Sequence, residues 1–359
     1  MITWFEIEGF KSIKKQKVEL KGINILIGGN GIGKTNFISS FELMRNIYEQ
    51  NLQNYVVRKG GADALLYFGR KTTRNIHLDI CIEHSQYFNR YIVDLSEAQN
   101  RLYIKQALTA YLFNNNWRFQ TCDTNVQEIT LKHDRAGQAY YVGPLLEQFE
   151  VYHFHDTGDQ SPMKGMANVM DNRFLRVDGS NIASFLYLLQ QRYPKHFRRI
   201  ELTVASVSPF FESFVLEPNP LNPDFIELEW KQRGAGDTYF NANQLSDGTL
   251  RFICLATLLM QPAPPQTIII DEPELGLHPS AINKLAALIE KASANSQIII
   301  STQSVNLVDN FQADDIIVVD RKDNASQFKR LDIESLKEWL KDYSLGEVWE
   351  KNIIGGQPF

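Results

Sequence analysis

The sequence predicts an α/β fold in which a phosphate-loop core is joined to an antiparallel β region and interrupted by a helical insertion. Gly28-Gly29-Asn30-Gly31-Ile32-Gly33-Lys34-Thr35 fits the pattern G-x-x-x-x-G-K-[ST], with an apolar run before it and a helically spaced run after it. Residues 267–271 and 297–301 are apolar enough for buried strands and flank a helical pattern at 280–292, which makes a βαβ unit. Between residues 76 and 132, short strand-like runs are separated by turn signals such as Asn114-Asn115-Asn116, the texture of an antiparallel meander.

Along the chain, residues 2–8, 17–20 and 23–27 read as strands of a small sheet that leads into the glycine loop. Phe37, Ile38, Phe41 and Met44 then recur at helical spacing. Strands are expected at 76–82, 91–95, 101–105, 128–132 and 151–155. Residues 156–172 are polar. Ile182, Phe185, Leu186 and Leu189 mark a helix at 181–192, and a second helix is expected over 198–214 with a break at Pro209. Strands return at 213–217 and 225–231, a helix at 250–260, a strand at 316–320, and short helices near 333–342 and 344–351. The organisation that follows is a first lobe at 1–160, a helical insertion at 161–213 and a second lobe at 214–359.

Composition narrows the function classes. At 359 residues with 43% hydrophobic and 22% charged residues, the chain can bury a sizeable core. A net charge of −5 gives no global basic field toward nucleic acid or membrane. Cys81, Cys122 and Cys254 are odd in number and far apart, so neither a disulfide framework nor a zinc pattern is expected. The first residues lack a signal segment and no apolar run reaches membrane-spanning length, so a cytoplasmic protein without a membrane partner is expected.

The glycine loop and the carboxylate-ended strand point to ATP and Mg²⁺ as cofactors. Glycines let backbone N–H groups converge on phosphate oxygens, and the helix N-terminus favours negative charge. Lys34 is suited to the β- and γ-phosphates and Thr35 to Mg²⁺. Asp271 and Glu272 end an apolar strand; in phosphate-loop ATPases the first holds the Mg²⁺ shell and the second polarises the attacking water.

Asn243-Gln244-Leu245-Ser246-Asp247-Gly248-Thr249-Leu250-Arg251 resembles the signature motif of ABC-type ATPases. Ser246 also suits a helix cap, which is compatible with a phosphate contact. Pro273-Glu274-Leu275-Gly276-Leu277-His278-Pro279 resembles the loop that joins two subunits in that superfamily. Gln303, in Ser301-Thr302-Gln303-Ser304, stands where the family carries its switch histidine, and unlike histidine it does not titrate. Glu8-Gly9-Phe10-Lys11-Ser12 resembles the opening of the RecF and SMC branch, and Gln160 matches the glutamine loop. The resemblance spans roughly 1–160 and 214–359 and is to RecF/SMC-like ATPases of the AAA-labelled bacterial group, some of which act in anti-phage systems. It implies a P-loop ATPase head that forms a homodimer on ATP binding. Asn30, Gly31, Gly33, Lys34, Thr35, Asn36 and Lys11 of one subunit would hold ATP, with Ser246 and Gly248 of the other. Thr35, Asp271 and Gln160 would serve the metal, and Glu272 and Gln303 catalysis. Related OLD-type members carry a C-terminal nuclease domain, which this chain is expected to lack, so any cleavage would come from a partner.

Weaker patterns remain. His153, His155 and Asp156 suit either a metal or ordinary packing. Arg192-Tyr193-Pro194-Lys195-His196-Phe197-Arg198-Arg199 is the densest basic run and suits either a solvated helix end or contact with DNA or an effector protein. Arg58, in the region read as loop after the first helix, suits a phosphate contact. Beside the ATP-driven switch stand two alternatives: an ATP-binding scaffold for a toxic effector with little turnover, and a transporter subunit. The Phe10-Lys11-Ser12 opening, the insertion and Asp247 within the signature argue against the transporter, and Glu272 argues against the scaffold.

Overall fold

The computed structural model describes residues 1–84, 86–133 and 137–357. The chain opens with β1 (Ile2–Phe10) and β2 (Ile13–Glu19), then β3 (Ile23–Ile27), the glycine loop, α1 (Lys34–Tyr48) and α2 (Leu52–Arg58). A meander follows: β4 (Asn75–His84), β5 (Tyr87–Ala98), β6 (Arg101–Phe113) and β7 (Asn116–Val126). Next come α3 (Gln138–Leu146), β8 (Val151–Tyr152), β9 (Ala167–Asn168), α4 (Ile182–Arg192) and α5 (Pro194–Val207). Strands β10 (Phe211–Val215), β11 (Phe225–Ile226), β12 (Glu229–Gln232) and β13 (Tyr239–Asn241) lead to α6 (Asp247–Met260). The chain closes with β14 (Thr267–Asp271), α7 (Pro279–Ala292), β15 (Gln297–Thr302), α8 (Val305–Val308), β16 (Ile316–Lys322), β17 (Ala325–Arg330), α9 (Ile333–Leu336) and α10 (Leu345–Glu350).

Two compact units form. The first comprises residues 1–151, 266–271 and 296–359. It holds an antiparallel sheet in the order β2-β1-β4-β5-β6-β7 and a second sheet in the order β17-β16-β3-β15-β14-β8. In the second sheet β16, β3, β15 and β14 run parallel. Isoleucines fill it because strands covered on both faces need apolar residues at every position. Helix α1 touches β1 of one sheet and β14 and β15 of the other. Its Phe41 packs edge-on against Phe5 at 4.9 Å and Phe149 at 5.4 Å, which anchors the helix that begins at Lys34.

The second unit comprises residues 152–265 and 272–295. Helix α6 contacts both α5 and α7 and is buried from Thr249 to Leu259. The small sheet β10-β12-β13 carries an aromatic cluster in which Phe211 and Trp230 stack at 6.3 Å.

Several expected elements differ. β1 and β2 join the meander, not β3. β1 alternates buried and half-buried residues, as a strand with one covered face does, whereas Ile25, Leu26 and Ile27 of β3 are wholly buried. Residues 128–132 form no strand: Leu131–His133 is a 3-10 turn, and the partner of β6 is the polar edge strand β7, whose apolar alternation is weak because much of it faces water. The strand at 151–155 stops at Tyr152. Helix α5 begins at Pro194, where the fixed φ and missing N–H of proline suit a first helical turn.

Candidate nucleotide site

In the first unit, register brings the functional segments to one edge. Asp271 of β14 lies opposite Ser301 of β15, Ser301 opposite Leu26 of β3, and Thr302 opposite Ile27. The glycine loop, Asp271 and the turn after Thr302 therefore leave the same carboxyl end of adjacent parallel strands, where α/β sheets bind ligands. Asp271 is buried and accepts a hydrogen bond from Ser301 Oγ.

The loop's backbone needs glycine at several points. Gly28, Gly31 and Gly33 have φ of 148°, 73° and 123°. A Cβ at Gly33 would stand 2.1 Å from Ser326 Oγ. That hydroxyl donates to Ile32 O and lies 2.7 Å from Ser12 Oγ, within hydrogen-bond distance, and Asn36 Nδ2 donates to Ser12 Oγ at 2.7 Å. Lys34 is buried, and its ammonium donates to Gly28 O at 2.6 Å and Gly29 O at 3.0 Å. Among the described residues, no protein group accepts from the N–H groups of Gly31, Ile32, Gly33 or Thr35. A ring of uncommitted N–H groups at the start of a 15-residue helix is an anion site.

Two cavities adjoin this loop. One, about 590 Å³, is lined by Gly28, Gly29 and Asn30 with the exposed Gln303. The other, about 500 Å³, brings together Lys11, Ser12 and Asn36 with Tyr67, Phe68 and Arg321. Lys11 donates to Ser39 Oγ at 2.8 Å. Burial, with the nearby Lys59 charge, holds its ammonium below the ordinary lysine range.

The second unit carries the signature segment. Ser246 caps α6, its Oγ accepting from Thr249 N at 3.2 Å. Gly248 permits close packing: a Cβ there would lie 2.5 Å from Gly276 O. Arg251, one turn on, is buried. Its Nε donates to Phe154 O at 2.7 Å, Nη2 to His155 O at 3.0 Å, and Nη1 to Leu275 O. Arg251, Ser12 and Ser301 stand inside the motifs without a role assigned to them there, and Ser326 stands outside every motif. Glu272 has φ 43°, a left-handed conformation unusual for a non-glycine residue. Gln160 is exposed in the turn closed by Ser161 N donating to Gly158 O.

Other candidates separate. Among the described residues no group of three or more His, Cys, Asp or Glu is placed to hold a metal, which sets aside the His153, His155 and Asp156 pattern. The two imidazoles pack edge-to-face at 5.8 Å. Arg58 ends α2 rather than lying in a loop, and it is exposed. Arg198 pairs with the buried Glu201 at 3.1 Å and so serves the fold of its helix. No helix among the described residues is long and apolar enough to cross a membrane. Among the described residues no disulfide joins Cys81, Cys122 or Cys254.

Comparison with known proteins agrees with this architecture. A family model described as an AAA ATPase domain matches residues 1–154. Another, described as AAA domain, putative AbiEii toxin, Type IV TA system, matches residues 131–309. ABC transporter A family member 11 of Dictyostelium discoideum is 35% identical over 81 residues, which are 23% of this chain and 10% of that protein. The Smc head bound to the C-winged helix domain of ScpA has a TM-score of 0.61 at 17% identity, over 94% of this chain and 99% of that one. The Pyrococcus furiosus Smc head with an extended coiled coil, bound to the C-terminal domain of ScpA, has a TM-score of 0.58 at 17% identity, over 95% and 98%. The structural likeness establishes the fold, that of an Smc-type head, and the AAA-domain models match residues 1–154 and 131–309, so the chain is similar to AAA-labelled ATPases with that fold.

Proposed function

We propose that the protein binds ATP with Mg²⁺, hydrolyses it, and uses the cycle as a dimeric switch in the cytoplasm. The carrying observation is the set of uncommitted N–H groups of Gly31, Ile32, Gly33 and Thr35 beside the buried Lys34 side chain, at the same sheet edge as Asp271. Lys34 would exchange the Gly28 and Gly29 carbonyls for the β- and γ-phosphates, with Asn30, Asn36 and Lys11 on the flanks. Thr35 and Asp271 offer hard oxygen donors, which fit Mg²⁺ with phosphate oxygens and water completing its shell; Gln160 is the further candidate. The metal's chemistry would be charge neutralisation on the phosphates. Glu272 would orient and polarise the attacking water, and Gln303, non-titrating, would hydrogen-bond the γ-phosphate or that water.

A phosphate loop covers one side of a nucleotide. The cap of α6 at Ser246 and the close-packed Gly248 support a second phosphate contact supplied by a partner copy, which is the reason for proposing a homodimer. The description of the matching model as a putative toxin of a type IV system supports control of an effector, with an anti-phage setting, and DNA is the other candidate for the partner.

The test is direct. Lys34→Ala should weaken ATP binding by roughly 3 kcal/mol, about a hundredfold. Glu272→Gln should keep binding, lower turnover by about a hundredfold or more, and sediment as a dimer with ATP, while Ser246→Arg blocks both dimer and turnover. Wild-type turnover by Glu272→Gln would remove the catalytic assignment. A monomer with and without ATP would remove the dimer.

A further inference from the structure

The C-terminal segment has no part in the roles above, yet it reaches the phosphate loop. Gly346 N, in the first turn of α10, donates to Asp309 Oδ1 at 2.6 Å. A Cβ on Gly346 would lie 2.4 Å from Val305 Cγ1, so α10 is set closely against α8, the helix that follows Gln303. Beyond α10 the backbone turns at Gly355 and Gly356, with φ of 81° and 80°. The Gly356 carbonyl then accepts from Gly29 N at 2.7 Å. Gln357 Nε2 donates to Trp349 O at 3.1 Å. Trp349 is 4% exposed, and its indole Nε1 is buried with no hydrogen-bond partner among the described residues. Gln303, Trp349, Glu350 and Gln357 line the cavity that also contains Gly28, Gly29 and Asn30.

We infer that residues 353–357 form a strap whose Gly356 carbonyl positions the first turn of the phosphate loop for ATP. This rests on the ATP-binding reading above. The Gly28-Gly29 turn is held from two directions: Lys34 Nζ on its carbonyls and Gly356 O on an N–H. When Lys34 moves to phosphate, the strap bond keeps that turn in place. Gly356 is a positioning residue, since it acts through Gly29. Glycine is required there, because φ is left-handed and a Cβ would come within 2.9 Å of Val318 Cγ1 and 3.3 Å of Val319 O.

The test uses the full chain with Gly356→Val, a chain ending at Asn352, and Lys34→Ala as the non-binding reference. ATP affinity is measured by equilibrium dialysis, and turnover and thermal midpoint are measured in parallel. Gly356→Val should raise the ATP Kd about tenfold. Turnover at saturating ATP should stay within about twofold, a KM effect without a matching kcat effect. The shortened chain should show the same Kd change, and ATP should alter wild-type tryptophan emission through a component absent in Trp349→Phe. Unchanged affinity in both strap variants, or a tighter Kd, overturns the inference while leaving ATP binding intact. A drop in thermal midpoint with unchanged Kd assigns the strap to the fold alone and also overturns it. If wild type binds ATP no better than Lys34→Ala, the ATP reading itself falls and the strap's role with it.

Discussion

Arg251 commits all three guanidinium nitrogens to main-chain carbonyls, those of Phe154, His155 and Leu275. It thereby ties the segment before the polar stretch and the loop after Glu272 to the signature helix. Arg251→Met keeps much of the side chain's bulk and leaves the three carbonyls without their donor, so it should destabilise the protein by roughly 3 kcal/mol. Arg251→Lys should recover only part, because one ammonium cannot reproduce a planar fork. Chemical denaturation measures both, and a loss under about 0.5 kcal/mol for Arg251→Met would contradict this role. A signal was present in the sequence: an arginine between Leu250 and Phe252-Ile253 inside an apolar helix needs buried acceptors. Its partners lie 96, 97 and 24 residues away, and local pattern does not identify such distant carbonyls.

At the level of elements, His77 on β4 faces Asp94 on β5, with Nδ1 2.7 Å from the carboxylate. The hydrogen bond to Asp94 raises the His77 pKa above its ordinary value, against a smaller opposing effect of burial. A raised folded-state pKa means the contribution is complete below the unfolded value and is lost as pH rises through the folded one. The thermal-midpoint gap between wild type and His77→Gln should therefore be larger near about pH 5.5 than near about pH 8.5. Equal gaps would show that the pair adds no pH-dependent stability. Elements with strong periodicity, such as α1, α6, α7 and the isoleucine-rich β14 and β15, were legible because burial imposes that periodicity. The strand β7 was not, since an edge strand with few buried positions has little apolar pattern to show. Helix α3, with Pro144 inside it, departs from local preference and is kept by its contacts with α1, β5 and β6.

Across the whole molecule, contiguous motifs were readable and long-range partnerships were not. The glycine loop, the Asp271-Glu272 strand end and the Ser246 cap each lie within a single short stretch of sequence. The Ser12–Ser326 contact joins residues 314 apart, and only the fold brings them together. The basic run shows both cases. Lys195 and Arg192 are exposed at the turn from α4 to α5, while Arg199 and His196 share a groove of about 570 Å³ with Lys291 of α7. Among the described residues no carboxylate forms an ion pair with Arg192, Lys195, Arg199 or Lys291, although the protein is acidic overall. We propose this face as the one that meets an acidic partner surface or nucleic-acid phosphates. Reversing Arg192, Lys195, Arg199 and Lys291 to glutamate should abolish that binding and leave basal ATPase near normal; any DNA binding by the wild type should fall steeply with salt. Undiminished binding after the reversal would make the groove an ordinary solvated surface. The left-handed backbone of Glu272 carries a different implication. That conformation costs a non-glycine residue on the order of 1–2 kcal/mol. On the catalytic role proposed for Glu272, directed evolution toward heat resistance alone would favour Gly or Asn at this position at the expense of turnover, so a thermal library of this protein needs an activity screen run alongside it.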